Sequence, residues 1–259
     1  MNNRDTLMNR FVAMLIPVAV CLAILAGCST PSDAEGPHSR KSAQVHTELA
    51  GLYFGRAQSG IAIDEIEKAL QADSDYAPAY GVRGLIHMSL REDREADEDF
   101  RKSLRLDKTD SETHNNYGWF LCQRGRENEA IPHFIEAVKN PLYTTPGPAY
   151  LNAGLCLKQV GNAKEAEEFL QKALLVQPGM PAALLAMAQL SFTGGDYASA
   201  KRYFSRFSGN NENLTADQLW LAVRIERKVG NRNSEASYGM QLRKRFPDAR
   251  ETQMMIRGE

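Results

Sequence analysis

Small residues recur in this chain at a nearly constant spacing. The successive steps between them are 34, 34, 36, 34 and 34 residues. A unit of this length accommodates a pair of antiparallel helices that buries its apolar face only by stacking on neighbouring units. The chain is therefore expected to fold as an all-α solenoid that presents a long surface, rather than around one compact core. The recurring residues are Ala50, Gly84, Gly118, Gly154, Ala188 and Ala222.

Other positions in the unit support the same register. When the recurring residue is counted as the eighth of each unit, position 20 is small and position 24 is large. Gly125, Gly161 and Gly195 fall at position 15, where the first helix must end and positive φ is favoured. This pattern is typical of the tetratricopeptide repeat and predicts a superhelix of about six repeats. Position 20 holds Ala62, Ala96, Ala130, Ala166, Ala200 and Ser234, and position 24 holds Ile66, Phe100, Phe134, Leu170, Phe204 and Tyr238.

The repeats are expected to fill the chain from residue 43 to residue 259. The predicted units are 43–76, 77–110, 111–146, 147–180, 181–214 and 215–248, followed by a short C-terminal tail. The sixth unit fits the pattern least well, because its position 27 is Gln241. Gly230 and Pro247 fit better if the register of this unit slips by one residue, so both registers stay open.

The N-terminus has the features of an export signal. Arg4 and Arg10 precede an apolar run from Phe11 to Ala26. That run is short of the roughly 20 residues that cross a bilayer, so it predicts a signal peptide over residues 1–27 rather than a membrane span. Met1 and Met8 are both open as the start of translation.

The segment Leu25–Cys28 resembles the lipobox of bacterial lipoproteins, in which the cysteine carries a lipid. Cys28 is therefore expected to become the first residue of the mature chain, and residues 28–42 to form a lipidated flexible tether, because they are polar and contain Pro and Gly. Ser29 is not the aspartate that retains many lipoproteins in the inner membrane. We expect an anchor in the inner leaflet of the outer membrane, with the protein facing the periplasm. The alternative is an ordinary signal peptide followed by an unrelated cysteine.

Charge and motifs favour a binding protein over an enzyme. The chain has 31 basic and 32 acidic residues, which leaves no basic excess of the kind that nucleic-acid-binding proteins carry. It contains no nucleophile elbow, phosphate loop, dinucleotide fingerprint or paired-cysteine metal motif. We therefore expect no catalytic residue, metal site, small-molecule substrate or cofactor other than the covalent lipid on Cys28. The helical histidines His46, His87 and His114 are expected to pack or cap, and His38 is expected to lie in the tether.

The first helices of such repeats line a groove, into which positions 2, 5, 9, 12 and 13 point. Large apolar groups on a solvent-facing surface commonly mark a binding site. We expect an amphipathic partner segment there, seated in the N-terminal half where the apolar series begins. The alternative is that helix curvature buries some of these residues, Leu151 and Leu155 above all. The predicted groove residues are Phe54, Leu85, Met88, Trp119, Leu155 and Phe192, interspersed with polar groups such as Lys158 and Gln189.

Two cysteines are expected to remain as free thiols in the mature chain, because Cys21 leaves with the signal peptide and Cys28 is acylated. They are Cys122 and Cys156, and the periplasm oxidises thiols. They lie at positions 12 and 10 of the first helices of adjacent repeats. A disulfide is feasible if their Cα atoms lie within about 7 Å of each other. The alternative is two small buried residues that never meet.

Four segments carry a closer resemblance: HNNYGWFLC at 114–122, NPLY at 140–143, YLNAGLC at 150–156 and FPDARE at 246–251. With the lipobox and the six repeats, the chain resembles the type IV pilus biogenesis lipoprotein family called PilF or PilW, the pilotins of the pilus secretin. The resemblance implies that the protein binds secretin subunits, travels with the lipoprotein transport machinery, and promotes outer-membrane localisation and multimerisation of the secretin. The alternatives are an adaptor that docks a peptidoglycan hydrolase or synthase and, more weakly, an enzyme.

Overall fold

The computed structural model describes residues 37–209, 211 and 213–258. The predicted signal peptide at 1–27, Cys28 and most of the predicted tether lie outside these residues. Over the described part the chain is entirely helical, with thirteen helices and no strand, which confirms the all-α prediction. Within the same residues, no helix combines the length and apolarity that crossing a bilayer requires.

The helices follow one another with short connections and form six antiparallel pairs and a final single helix. The strongest packing is within each pair, and successive first helices then stack on one another from α1 to α9. This is the arrangement of a tetratricopeptide-repeat solenoid. The helices are α1 (Pro37–Gly55), α2 (Ser59–Ala72), α3 (Ala77–Leu90), α4 (Asp93–Leu106), α5 (Ser111–Gln123), α6 (Glu127–Lys139), α7 (Pro146–Gln159), α8 (Ala163–Val176), α9 (Pro181–Thr193), α10 (Tyr197–Ser208), α11 (Ala216–Lys228), α12 (Arg232–Arg245) and α13 (Arg250–Arg257).

The first helix starts earlier than the repeat pattern predicts. The tether was expected to extend to residue 42, but α1 begins at Pro37, so the expectation is wrong for residues 37–42. Proline suits the first turn of a helix because its φ is fixed near the helical value. The extended helix is also held from outside, since the Arg40 guanidinium lies 5.9 Å from the centre of the Tyr76 ring.

The small residue at position 8 permits close approach of the two helices of a repeat. A Cβ added to Gly84 would lie 2.9 Å from the ring of Phe100. Gly118 has the same relation to Phe134, and Gly154 to Leu170 at 2.7 Å. Each partner is the large residue at position 24 of the same repeat, and all three partners are fully buried. The recurring small residues in the sequence therefore reflect one contact, between position 8 and position 24, that is repeated along the solenoid.

The sixth repeat follows the slipped register. Its first helix starts at Ala216, 35 residues after Pro181, and Gly230 takes the positive φ 35 residues after Gly195. Position 8 is therefore Val223 and position 24 is Gly239, so this repeat lacks the small-to-large pattern of the others. The assignments of Ala222, Ser234 and Tyr238 to positions 8, 20 and 24 are wrong by one residue, because the connection before α11 is longer by one.

The C-terminal tail is a helix that closes the end of the stack. Helix α13 packs on α11 and α12, and Met254 and Met255 contact the last apolar cluster. The Thr252 hydroxyl is buried and donates a 2.6 Å hydrogen bond to the carbonyl oxygen of Phe246. A terminal repeat has no further neighbour to cover its apolar face, so a solenoid of this kind needs such a cap.

A disulfide joins the third repeat to the fourth. It links Cys122 on α5 to Cys156 on α7, whose Cα atoms lie 5.9 Å apart, and both residues are fully buried. The connection between these repeats is one of the longer ones, and α7 begins at Pro146, one residue before the predicted boundary. The bond closes a loop across this interruption, which stabilises the native stack by about 3 to 4 kcal/mol in the chain-entropy description.

The histidines of the helices are held by other side chains. The Nδ1 atoms of His46 and His87 lie within hydrogen-bond distance of Glu65 and Glu92 respectively. His114 Nε2 donates to the carbonyl oxygen of Lys108, so its Nδ1 accepts from His133 Nδ1 at 2.9 Å. Among the described residues no group of three or more His, Cys, Asp or Glu side chains is arranged to hold a metal ion.

Replacing Gly154 by valine should destabilise the fold, because its Cβ would overlap the Leu170 side chain and approach the Ala166 carbonyl oxygen to 3.2 Å. We expect a loss of about 1 to 3 kcal/mol in the free energy of unfolding, measured by urea denaturation followed by circular dichroism. Gly51→Val is the matched control, since Gly51 also lies within a helix but has no atom within 4 Å of an added Cβ. Equal stability of the two variants would contradict the close-approach account.

Acid should weaken the third repeat through His133. Burial, followed by the neighbouring His114, lowers the pKa of His133 from 6.5 to about 4. Between about pH 6.5 and pH 4 the folded state therefore binds fewer protons than the unfolded chain. The stability that is present above pH 6.5 is lost as the pH falls toward 4. Since His133 is partly exposed, we expect the loss to amount to about 1 to 2 kcal/mol.

His133→Gln keeps a hydrogen-bond donor but cannot titrate, so it should lose less stability than the wild type between neutral pH and about pH 4.5. Urea denaturation at the two pH values measures the difference. His38→Gln is the control, because His38 is exposed on α1. The same acid-induced loss in His133→Gln and in the wild type would contradict the assignment.

Candidate partner-binding face

The first helices of the repeats together form one face of the solenoid, which we call the first-helix face. It consists of α1, α3, α5, α7, α9 and α11, and position 9 of each repeat is at least partly exposed on it. The structure places all six predicted groove residues on these helices. Each of the six side chains is half-buried, so packing covers part of the predicted apolar series. These residues are Phe54, Leu85, Met88, Trp119, Leu155 and Phe192.

Three of the six lie together. Leu85 and Met88 of α3 and Trp119 of α5 pack against a single apolar cluster that includes Phe100 and Phe120. The other three pack against three further clusters, one in the first repeat for Phe54, one in the fourth and fifth repeats for Leu155, and one at the C-terminal end for Phe192. The predicted apolar series is therefore continuous only between α3 and α5.

A cleft of about 460 Å³ opens between α3 and α5. Met88 and Trp119 form its apolar part, and Ser89 and Gln123 from the same helices line it as well. Its rim carries an ion pair in which the Arg124 guanidinium donates to both carboxylate oxygens of Asp93, at 2.6 and 2.7 Å. Arg124 lowers the pKa of the Asp93 carboxyl, so the rim stays charged at neutral pH. The cleft thus combines an adaptable apolar floor with a fixed polar edge.

A second cleft of about 430 Å³ lies one turn away along the same two helices. Leu85 and Val82 contribute apolar surface, and the carboxylates of Asp107, Asp110 and Glu112 stand at its edge. Asp110 already caps α5, because its side chain accepts from the backbone amides of Glu112 and Thr113. Together the two clefts give the N-terminal half of the face an apolar strip with polar borders.

The C-terminal half of the face is different in chemistry. Lys158 of α7 donates a 2.7 Å hydrogen bond to the side-chain oxygen of Gln189 on α9. The guanidinium of Arg224 on α11 lies 4.8 Å from the centre of the Phe192 ring and 5.6 Å from that of Trp220. The cations Lys158 and Arg224 therefore lie beside polar and aromatic groups in the C-terminal half.

Trp220 and Arg224 are residues that the sequence analysis missed. The regular step of 34 residues assigns positions 5 and 9 of the sixth repeat to Leu219 and Val223, both of which are buried in the core. The slipped register moves those positions to Trp220 and Arg224. Gly230 was the signal that could have found them, because its place in the turn fixes the register of the helix before it.

The face has the properties of a binding surface, with preformed clefts, aromatic anchors and oriented polar groups. Comparison with known proteins agrees with the fold. Sequence profiles of the tetratricopeptide repeat match residues 77–110, 100–131 and 157–214.

Similarity to individual proteins extends over most of the chain. Over 234 residues the chain is 30% identical to the type IV pilus assembly protein PilF of Pseudomonas aeruginosa, an alignment that covers 88% of this chain and 92% of PilF. The crystal structure of PilW, a widely conserved type IV pilus biogenesis factor, is 34% identical with a TM-score of 0.74 and covers 83% of this chain and 98% of PilW. A structure of Pseudomonas aeruginosa PilF is 28% identical, with a TM-score of 0.81. The match covers 86% of this chain and 100% of that PilF chain.

Proposed function

This chain belongs to the PilF and PilW family of type IV pilus biogenesis proteins, and we propose that it acts there as a pilotin. In this proposal it binds secretin subunits on the first-helix face, accompanies them to the outer membrane, and promotes their multimerisation. The observation that carries the proposal is the apolar strip between α3 and α5, where Met88 and Trp119 line one preformed cleft.

The strip suits an amphipathic segment of a partner. Methionine and tryptophan supply a large contact area, and a methionine side chain adapts to the shape of its partner. The polar rim of Arg124 and Asp93 would orient the segment without leaving a buried charge unpaired. Covering an aggregation-prone surface of a membrane-inserting subunit in this way is what an escort protein requires.

The lipid anchor supplies the second half of the proposed mechanism. The lipobox at Leu25–Cys28 would place the protein in the inner leaflet of the outer membrane through lipid on Cys28, by way of the lipoprotein transport machinery. The residues between Cys28 and α1 would connect the lipid to the helical domain. Cargo held on the first-helix face would be delivered to the membrane in which it assembles.

Changing Met88 to glutamate should weaken secretin binding at least about tenfold, because a charge would replace an anchor worth roughly 1 to 3 kcal/mol. Gln123→Trp is a second variant, which fills the same cleft from an exposed position and so spares the core. Co-purification of the secretin with the full chain, and titration with the purified secretin domain, measure the effect.

Leu175→Glu is the matched control, since Leu175 is 81% exposed on the second helix of the fourth repeat and should leave binding unchanged. Phe192→Glu tests the placement in the N-terminal half and should cost less than Met88→Glu. Unchanged secretin binding in both Met88→Glu and Gln123→Trp would contradict the proposal, and co-purification of a peptidoglycan hydrolase or synthase instead would favour an adaptor.

Cys28→Ala should abolish acylation and retention in the outer membrane, because the lipobox cysteine supplies the thiol that carries the lipid. Metabolic labelling with a palmitate analogue and membrane fractionation measure both effects. The secretin should then fail to multimerise or assemble in the wrong membrane, and twitching motility should fall with it. Cys21→Ala is the control and should remain acylated. Normal acylation of Cys28→Ala would rule out this anchor.

A further inference from the structure

On the C-terminal half of the first-helix face, Lys158 and Arg224 have no carboxylate partner among the residues that the structure describes. Lys158 donates to the neutral amide of Gln189, and Arg224 lies over the rings of Phe192 and Trp220. No salt bridge links either cation to any described carboxylate. Arg224 Nε and Trp220 Nε1 are buried and have no hydrogen-bond acceptor among the described residues.

Two other cations of this region are paired with carboxylates. Lys201 pairs with Glu226 at 2.8 Å, and Arg227 pairs with Glu235 at 2.8 Å. In the N-terminal half, Arg83 and Arg124 are each paired with an aspartate at 2.6 Å. Lys158 and Arg224 thus differ from neighbours that are otherwise similar in burial. An unpaired charge that is partly desolvated is costly, so its presence on a binding face points to a ligand of opposite charge.

Helix α9 brings the two cations to one place. Gln189 and Phe192 are three residues apart and therefore lie on the same side of α9, on neighbouring turns. Lys158 approaches this side from α7 and Arg224 from α11. Desolvation lowers the pKa of both side chains, with no nearby negative charge acting against it. The cations therefore stand on either side of a single helical face that is lined by aromatic rings.

We propose that Lys158, Gln189, Phe192, Trp220 and Arg224 form a second recognition site, which binds the side-chain carboxylates of an acidic segment in a protein partner. Two cations held on either side of α9 match carboxylates that project from one side of an extended or helical peptide. The half-buried Phe192 ring would support the apolar side chains between those carboxylates, with the buried Trp220 ring behind it. The chain as a whole carries a net charge of −1. The positive charge of Lys158 and Arg224 is therefore a local feature of this site and does not reflect a generally basic surface.

The site does not depend on which protein supplies the segment, so short synthetic peptides can test it. The probe is an acetylated and amidated peptide in which glutamate alternates with valine, and its comparison peptide has glutamine in place of glutamate. The full chain carrying Trp119→Phe keeps Trp220 as its sole tryptophan, so its fluorescence reports on this site. We expect the glutamate peptide to change Trp220 emission and to bind at least about tenfold more tightly than the glutamine peptide, with affinity falling as salt is raised.

Lys158→Met and Arg224→Gln should each weaken the glutamate peptide about tenfold, because each removes one charge-assisted contact. The two substitutions lie on different helices. Thermal denaturation checks that each variant folds, and if one variant misfolds the other still tests the site. The matched controls are Lys172→Met and Arg202→Gln. These cations lie over the rings of Phe169 and Tyr203 at 5.2 and 5.5 Å, but on second helices away from the site, and their replacement should leave the affinity unchanged.

Equal affinity for the glutamate and glutamine peptides would overturn the proposal, as would unchanged affinity in both Lys158→Met and Arg224→Gln. A third peptide has glutamine in place of glutamate and a free C-terminal carboxylate. If it binds as tightly as the glutamate peptide, the site recognises a chain terminus, and the proposal of side-chain carboxylates is overturned. Loss of secretin binding in Met88→Glu with intact peptide binding would show that the two halves of the face act separately.

Discussion

The structure depends on the contact between a small residue on the first helix of each repeat and a large residue on the second. Gly84, Gly118 and Gly154 leave no room for even a methyl group, because a ring or a leucine side chain already occupies that space. This contact fixes the distance between the two helices of a pair. Once that distance is fixed, the first helices of successive repeats fall on one side of the solenoid and together form the first-helix face. The binding face is thus a consequence of how the core is packed.

Much of the fold could be predicted from the sequence because the same contact recurs at a regular spacing. Where the spacing changes, the prediction lost accuracy. One extra residue before α11 moved the sixth repeat out of register, and Trp220 and Arg224 were missed for that reason. The start of α1 at Pro37 was missed as well, since residues 37–42 are polar and precede the repeat pattern. Periodicity assigns residues to a face but not their degree of exposure, which depends on neighbouring helices. Phe54 and Leu155 were therefore correctly assigned to first helices, although they are half-buried in separate clusters.

The first-helix face has two chemically distinct halves. Between α3 and α5 it is apolar, and the cation Arg124 on its border is paired with Asp93. Between α7 and α11 it is aromatic and cationic, and Lys158 and Arg224 have no carboxylate partner among the described residues. The disulfide between Cys122 and Cys156 joins the third and fourth repeats, where one half gives way to the other. A rigid connection at this point would hold the two halves at a fixed spacing, so that one partner could contact both.

The central claim is that the first-helix face, rather than the outer surface of second helices, holds the secretin. Site-specific photocrosslinking in cells tests this most directly. A photoreactive amino acid at Ser89, which lines the cleft beside Met88, should crosslink to the secretin. The same amino acid at Glu168, which is exposed on α8, should not. Crosslinking of the secretin from Glu168 and none from Ser89 would contradict the account.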